Sequence, residues 1–391
     1  MSRLITRREM LVRSAGAAGA LAGLGLARAV AAPPTDRFAE APTSPVAIER
    51  CESYEPRLVR ERLNRALDAI GGIGKLVANK TVTVKLNLTG QFRKMHDRPA
   101  CETYHTHPHV VAALCAALEG AGAKRIILCD ALYYTKTAEE VLSENGWDLA
   151  AIRSAGGQKV EFVNTRNRGE FKSYSRLKVP WGGYLYPAFD VNAVYEKCDV
   201  FVSLAKLKNH VAAGVTMSVK NLFGITPTAL YGDDAPNDDS VKARVAILHK
   251  AARKVPDGVP GEGDPNPPTD QVVRVPRIVA DIMGARPVDL AVVEGITTVT
   301  GGEGFWIKNT GYIEPKLLLA GRNAVCTDAI CTAVMGYDPT VGHGEFPFPG
   351  ENHLRLVAQA GLGQIDPARI EVRGLSVKEV MTPFTRRGEA A

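Results

Sequence analysis

Hydrophobic positions along this chain switch repeatedly between a helical and a strand period. Between Tyr54 and Ile70, the residues Leu58, Val59, Leu63, Ala66, Leu67 and Ile70 share one helical face, and Gly71-Gly72 closes the segment. Lys80 to Asn87 reads as a β-branched strand. His109 to Gly120 returns to helical spacing, with Pro108 suited to a first-turn position, and Arg125 to Asp130 is a short buried strand. Strand, loop, helix and strand in that order make a parallel crossover unit. The pattern repeats with a helix over Thr137–Asn145 and a strand over Gln158–Val163. A hairpin over Arg176–Pro187 turns at Gly182-Gly183, and Val191–Lys197 leads into a strand over Asp199–Leu204. Beyond it the spacing predicts a helix over Val275–Ala285, strands over Val288–Glu294 and Lys316–Ala320, helices over Asn323–Met335 and Glu351–Ala360, and a terminal strand over Arg369–Arg373. The expected fold class is α/β: a mostly parallel, doubly wound sheet with helices on both faces. Residues 229–276 interrupt it as a long surface insertion, rich in Pro, Gly and Asp between Val255 and Asp270. The folded domain is expected over 46–375, with a Pro/Thr/Ala-rich linker at 33–45 and a tail at 376–391.

One mostly apolar run, Ser203 to Pro227, does not fit a plain core. It carries Lys206, Lys208, Asn209, His210, Lys220 and Asn221 directly after a buried strand. Burying unpaired polar groups costs several kcal/mol, roughly 2–7 for a neutral group. The run is therefore either a solvated loop with a lysine-faced helix or a polar site at the carboxyl end of a strand, where open α/β sheets bind ligands. Three other strand ends carry polar groups: Lys85, Asn87, Thr89 and Gln91 after the first, Asp130 after the second, and Glu294 with the Gly-rich Thr300–Gly304 after the strand at Val288. In a parallel sheet these ends share one edge. Lysines and Gly-rich amides there suit a phosphate or carboxylate, Asn side chains orient a polar ligand, and His210 or Glu294 suits proton transfer.

Composition narrows the partners. Of 391 residues, 45% are hydrophobic and 23% charged, an ordinary globular balance. The N-terminus sets Arg7-Arg8 before a Gly/Ala/Leu-rich stretch, Ser14–Leu26, and a small-residue pattern, Ala29–Ala32, ahead of Pro33. That order resembles a twin-arginine export signal over residues 1–32, read by the twin-arginine machinery. The expected location is periplasmic or otherwise exported, with no stable membrane span once the signal is cleaved. The segment holds five arginines against one glutamate, so the net charge of +6 falls to about +2 without it. No basic arm interleaved with aromatics remains, which argues against a nucleic-acid partner. Seven cysteines include no Cys-x-x-Cys pair, so the chain has no cysteine motif for an iron–sulfur cluster. His105, His107 and His109 alternate, but Pro108 starts a helix among them, leaving open a loop and cap, a substrate contact or a metal ligand.

The same residues carry a family resemblance. Lys85 and Asn87 in their strand, Thr106-His107-Pro108, Lys206 to His210, Thr216 to Gly224 with Lys220-Asn221, and Asn323 to Asp328 together resemble the domain-of-unknown-function family 362, over roughly Val46–Gly374. Some relatives of that kind add a ferredoxin-like module with cysteine clusters, which this chain lacks. The resemblance supplies no reaction. The expected function is an exported enzyme that binds a small anionic or carbonyl-bearing compound. His210, Glu294 and Lys206 are the candidate catalytic groups, and Lys85, Asn87, Lys208, Asn209, Lys220, Asn221 and Asp130 the candidate ligand contacts. The alternatives are a solute- or cofactor-binding protein without catalysis, a metal-dependent enzyme drawing on His105, His107, His210, Asp130 and Glu294, and a redox-associated protein without its own cluster. The cofactor, if any, is not named by the sequence.

Overall fold

A computed structural model describes residues 36–385. The expected export signal lies outside the described residues. Eight strands form one sheet: β1 (Val46–Arg50), β2 (Thr81–Lys85), β3 (Arg125–Asp130), β4 (Val160–Asn164), β5 (Val200–Lys206), β6 (Leu290–Gly295), β7 (Leu317–Gly321) and β8 (Val372–Gly374). Their spatial order is β8-β1-β7-β6-β5-β2-β3-β4. All run the same way except β7, which is antiparallel to both β1 and β6. The fold is thus the expected α/β class with a mostly parallel sheet.

Alternation within each strand splits the apolar side chains between two cores. In β5, Val200, Val202 and Leu204 enter one core while Phe201 and Ala205 enter the other. Helices α1 (Pro56–Ala69) and α2 (Pro108–Gly120) cover the first face. The second face is covered by α3 (Met217–Asn221), α4 (Gln271–Ala285), α5 (Ala324–Val334) and α6 (His353–Gln359).

The chain builds β2, β3 and β4 outward to one edge, then returns to the other side of β2 to lay down β5 and β6. The direction of winding therefore reverses between β2 and β5, and their carboxyl ends, Lys85 and Lys206, flank the resulting crevice. The reversed β7 has a local cause. After β6 the chain makes a small hairpin, Thr298–Thr300 against Gly311–Ile313, and comes straight back as the antiparallel neighbour of β6. Its turn, 301–310, hangs over the carboxyl edge of the sheet.

Three expectations change. Segment 229–276 does not stay on the surface: Ile247 and Leu248 are fully buried, and Arg274 donates to Ile247 O (3.0 Å), Leu248 O (3.2 Å) and Pro268 O (2.8 Å) while pairing with Glu262. Helix α4 starts at Gln271 rather than Val275, capped by Asp270, and continues through Pro276. Proline removes the N–H that Val272 O would accept, and Glu351 N supplies a replacement at 3.0 Å. The described parts of the expected linker and tail are packed: Arg37 N reaches Gln359 O (2.9 Å), and Phe384 is buried.

Candidate functional site

Lys85 and Asp130 end neighbouring strands, and their side chains meet at 2.8 Å with almost no exposure. Lys85 Nζ also donates to Leu86 O (2.7 Å) and Asn221 Oδ1 (3.2 Å), and Asp130 accepts from Leu88 N and Ala131 N, both at 2.8 Å. A Cβ on Gly224 would stand 2.9 Å from Lys85 Nζ, so the glycine after Phe223 makes room for this pair. Asn221 Nδ2 donates to Ser203 Oγ (3.1 Å), tying α3 to β5. The buried Asp328 of α5 accepts from Ser218 N (2.9 Å) and Val219 N (2.6 Å) at the start of α3. Burial pushes the Asp328 carboxyl up to about 8 against these donors. It is a core carboxylate holding the helix, not a site residue.

A cavity of about 520 Å³ opens beside this pair, between the carboxyl ends of the strands and the folded-in segment 243–249. Lys85, Asn87, Asp130, Lys208, His210, Lys220 and Asn221 all line it. Lys208 is fully buried and donates to Tyr104 O (2.5 Å) and Glu303 O (3.2 Å); burial pushes its amine down to about 7. Lys220, only 8% exposed, finds no hydrogen-bond acceptor or ion-pair partner among the described residues. Its Nζ lies 4.5 Å from the Phe223 ring centroid, and burial, opposed by the nearby Glu303 and aided by Arg244 and Lys85, pushes it down to about 7.

Residues outside the expected set complete the wall. Arg244 donates to Thr226 O and Tyr133 OH, both at 2.8 Å, but its Nη2 has no acceptor and the guanidinium no carboxylate partner among the described residues. His249 Nδ1 lies 3.1 Å from Arg244 O, which places the proton on Nδ1 and leaves a lone pair on Nε2. Burial pushes this imidazole down to about 4. His210 Nδ1 instead accepts from Ala212 N (3.1 Å), leaving the proton on Nε2, and burial holds its pKa well below the usual value. Glu303, from the turn over the sheet edge, accepts from Val211 N (2.9 Å) and Trp306 Nε1 (3.3 Å). Burial raises its carboxyl, with the neighbouring Lys220 and Lys208 opposing. With Lys85 and Asp130 neutralising each other, the cations Lys208, Lys220 and Arg244 face one carboxylate.

The family model for the domain of unknown function DUF362 matches residues 82–333. The chain belongs to the DUF362 family. The match covers every cavity residue named above. It is narrower than the Val46–Gly374 suggested by the sequence. The DUF362 chain is also similar to the thylakoid-associated protein sll1697 of Synechocystis sp. (strain ATCC 27184 / PCC 6803 / Kazusa), 32% identical over 184 residues, which are 46% of this chain and 50% of that protein. It therefore spans about half the length of that relative. A crystal structure of a Thermotoga maritima protein aligns with a TM-score of 0.33 at 12% identity, over 64% of this chain and 52% of that one.

Three expected site residues of this DUF362 protein stand elsewhere. Lys206 and Glu294 do not reach the cavity: their side chains pair at 2.8 Å with no exposure at all. Lys206 also donates to Cys101 O (3.0 Å) and Tyr54 OH (3.1 Å), while Glu294 accepts from Tyr54 OH and His107 N, each at 3.0 Å. Every polar atom of the pair is spoken for within the protein, and neither side chain stands with the other expected site residues at the cavity. Asn209 grips the turn after Thr300, accepting from Gly301 N and donating to Tyr337 OH, both at 3.0 Å. It lines a separate cavity of about 260 Å³, to which His210 also contributes.

The histidine series divides as its proline dictates. His107 caps α2, accepting from His109 N (3.1 Å) and stacking 3.7 Å from Tyr54, while His105 Nε2 bonds Thr89 O (2.7 Å). Among the described residues no three His, Cys, Asp or Glu side chains converge in a metal-binding group. No helix of the described residues is long and apolar enough to cross a membrane.

Proposed function

We propose that this protein is an enzyme acting on a small anionic, carbonyl-bearing compound held in the cavity between the ends of β2 and β5. One observation carries the reading: Arg244 is a buried cation with no carboxylate partner among the described residues and an unsatisfied Nη2, in the wall of a cavity of about 520 Å³ that Lys208 and Lys220 also line. Uncompensated buried charge is costly, and an anionic ligand supplies the missing partner. The volume suits a small metabolite. His210 presents an N–H donor to polarise a carbonyl oxygen, and Glu303 and His249 offer groups able to take or give a proton. A carrier without turnover would need the cations but not these three.

Arg244→Gln is expected to weaken binding of pyruvate or inorganic phosphate at least about tenfold, as charge-assisted hydrogen bonds contribute roughly 1.5–3 kcal/mol. Calorimetry and thermal-shift titration measure it. A wild-type protein stabilised by neither anion removes the basis of the reading.

The reading places the enzyme outside the cytoplasm, supported by the arginine pair and small-residue pattern of residues 1–32. The relative from Synechocystis is named as thylakoid-associated, which fits a non-cytosolic setting for this chain as well. Fractionation of a twin-arginine-competent host is expected to find wild type in the periplasm and an Arg7→Lys/Arg8→Lys double variant in the cytoplasm. Equal distribution of the two would count against export by this route.

A further inference from the structure

Four lysines surround the crevice, and their surroundings leave one amine uncommitted. Lys85 is taken by Asp130, Lys206 by Glu294, and Lys208 by two backbone carbonyls. Lys220 alone has neither a hydrogen-bond acceptor nor an ion pair among the described residues: its amine lies over the face of Phe223, with the Glu303 carboxyl as a neighbour it does not bond. An amine attacks carbon through its lone pair, so an ammonium held by a carboxylate is a poor nucleophile and a desolvated, unpaired amine beside other cations is a good one. Lys220 is also well anchored. It sits on α3, whose first N–H groups are held by Asp328 and whose end is tied to β5 through Asn221.

We propose that Lys220 captures the carbonyl carbon of an acidic aldehyde or ketone as an imine. This deepens the reading of the cavity given above and rests on it. The ligand class is a short carbonyl compound bearing a carboxylate or phosphate, its anionic end drawn by the Arg244 guanidinium. The amine nitrogen forms the C–N bond while the carbonyl π pair moves to oxygen, which takes a proton, and the nitrogen gives one up. A second proton on the resulting hydroxyl releases it as water: the C–O bond breaks, the nitrogen lone pair forms the C=N bond, and the nitrogen then gives up its second proton. The net change is amine plus carbonyl giving imine plus water, with no oxidant or reductant. Glu303, whose carboxyl burial favours the protonated form, stands on the same cavity wall as the group to give and recover those protons. The depressed amine pKa is in keeping with this role.

The experiment is reductive trapping on the full chain at neutral pH. Protein is treated with sodium cyanoborohydride and pyruvate, pyridoxal 5′-phosphate or, as the probe without an anion, pyridoxal, and the adducts are mapped by peptide mass spectrometry. Pyruvate and pyridoxal 5′-phosphate separate a carboxylate from a phosphate requirement. One acidic probe is expected to label Lys220 at least tenfold above any surface lysine. Pyridoxal should show no such preference, and Arg244→Gln should reduce the Lys220 adduct about tenfold. Lys220→Arg should lose the adduct while keeping its thermal transition. Adducts spread over surface lysines, or a Lys220 labelled equally by pyridoxal and pyridoxal 5′-phosphate, would overturn the proposal. If anions still stabilise the protein but Lys220 stays unlabelled, the imine alone is lost. If neither effect appears, the cavity reading is lost with it.

Discussion

Lys206 and Lys208 stand one residue apart at the end of the same strand, yet they end in different chemical environments. Lys206 meets a carboxylate and Lys208 meets only carbonyl oxygens, with burial pushing its amine down to about 7. Lys220 shares that depressed value without sharing its hydrogen bonds. A free lysine titrates near 10.4. Between about 7 and that value the unfolded chain carries a proton at Lys220 that the folded chain lacks. Stability therefore rises with pH across this window and is level below about 7, where both states carry the proton. Lys220→Met is expected to flatten the pH dependence by up to about 1.4 kcal/mol per pH unit between pH 7 and 10, read from urea unfolding of wild type and variant side by side. Parallel curves would mean that the folded protein keeps Lys220 charged. The residue types of this site were legible in the sequence, because lysines and asparagines directly after an apolar strand are poor core material. Their partners were not, since Glu294 lies 88 residues from Lys206.

At the scale of elements, the register of β5 on β6 sets Glu294 directly opposite Lys206. The ion pair is thereby a rivet between two central strands, and through His107 N and Tyr54 it also holds the starts of α2 and α1. Lys206→Met leaves a buried carboxylate unpaired and is expected to cost about 3–5 kcal/mol, while Lys206→Met with Glu294→Leu should recover most of the loss. Denaturant titration of both variants decides it: a neutral single variant would mean that the pair does not hold the strands. The strand Arg125–Asp130 matched its expected bounds, and α2 began at Pro108 with His107 as its cap, because period and capping are local properties. The start of α4 was missed for a non-local reason. Pro276 signals a break, but Glu351, far along the chain, supplies the hydrogen bond that the proline removes.

At the scale of the molecule, the reversal of winding between β2 and β5 creates the crevice, and two excursions close it. The reversed β7 requires a turn over the sheet edge, which delivers Glu303 and Trp306. Segment 229–276, read from its polarity as a surface insertion, folds inward because its Arg274 gathers carbonyls of the segment and Glu262 around a buried guanidinium. That inward fold brings Arg244 and His249 to the cavity, and a weak signal was present in the apolar Val245–Leu248 embedded in the polar tract. The sequence by itself determined the α/β class, the two-sided sheet, the family, and the lysines, asparagines and histidine gathered at one sheet edge, because periodicity and the cost of burying polar side chains act locally. Only the tertiary structure decided which of those lysines is paired and which is left free. Charge compensation depends on distances of a few ångströms between residues that the sequence places tens to hundreds apart.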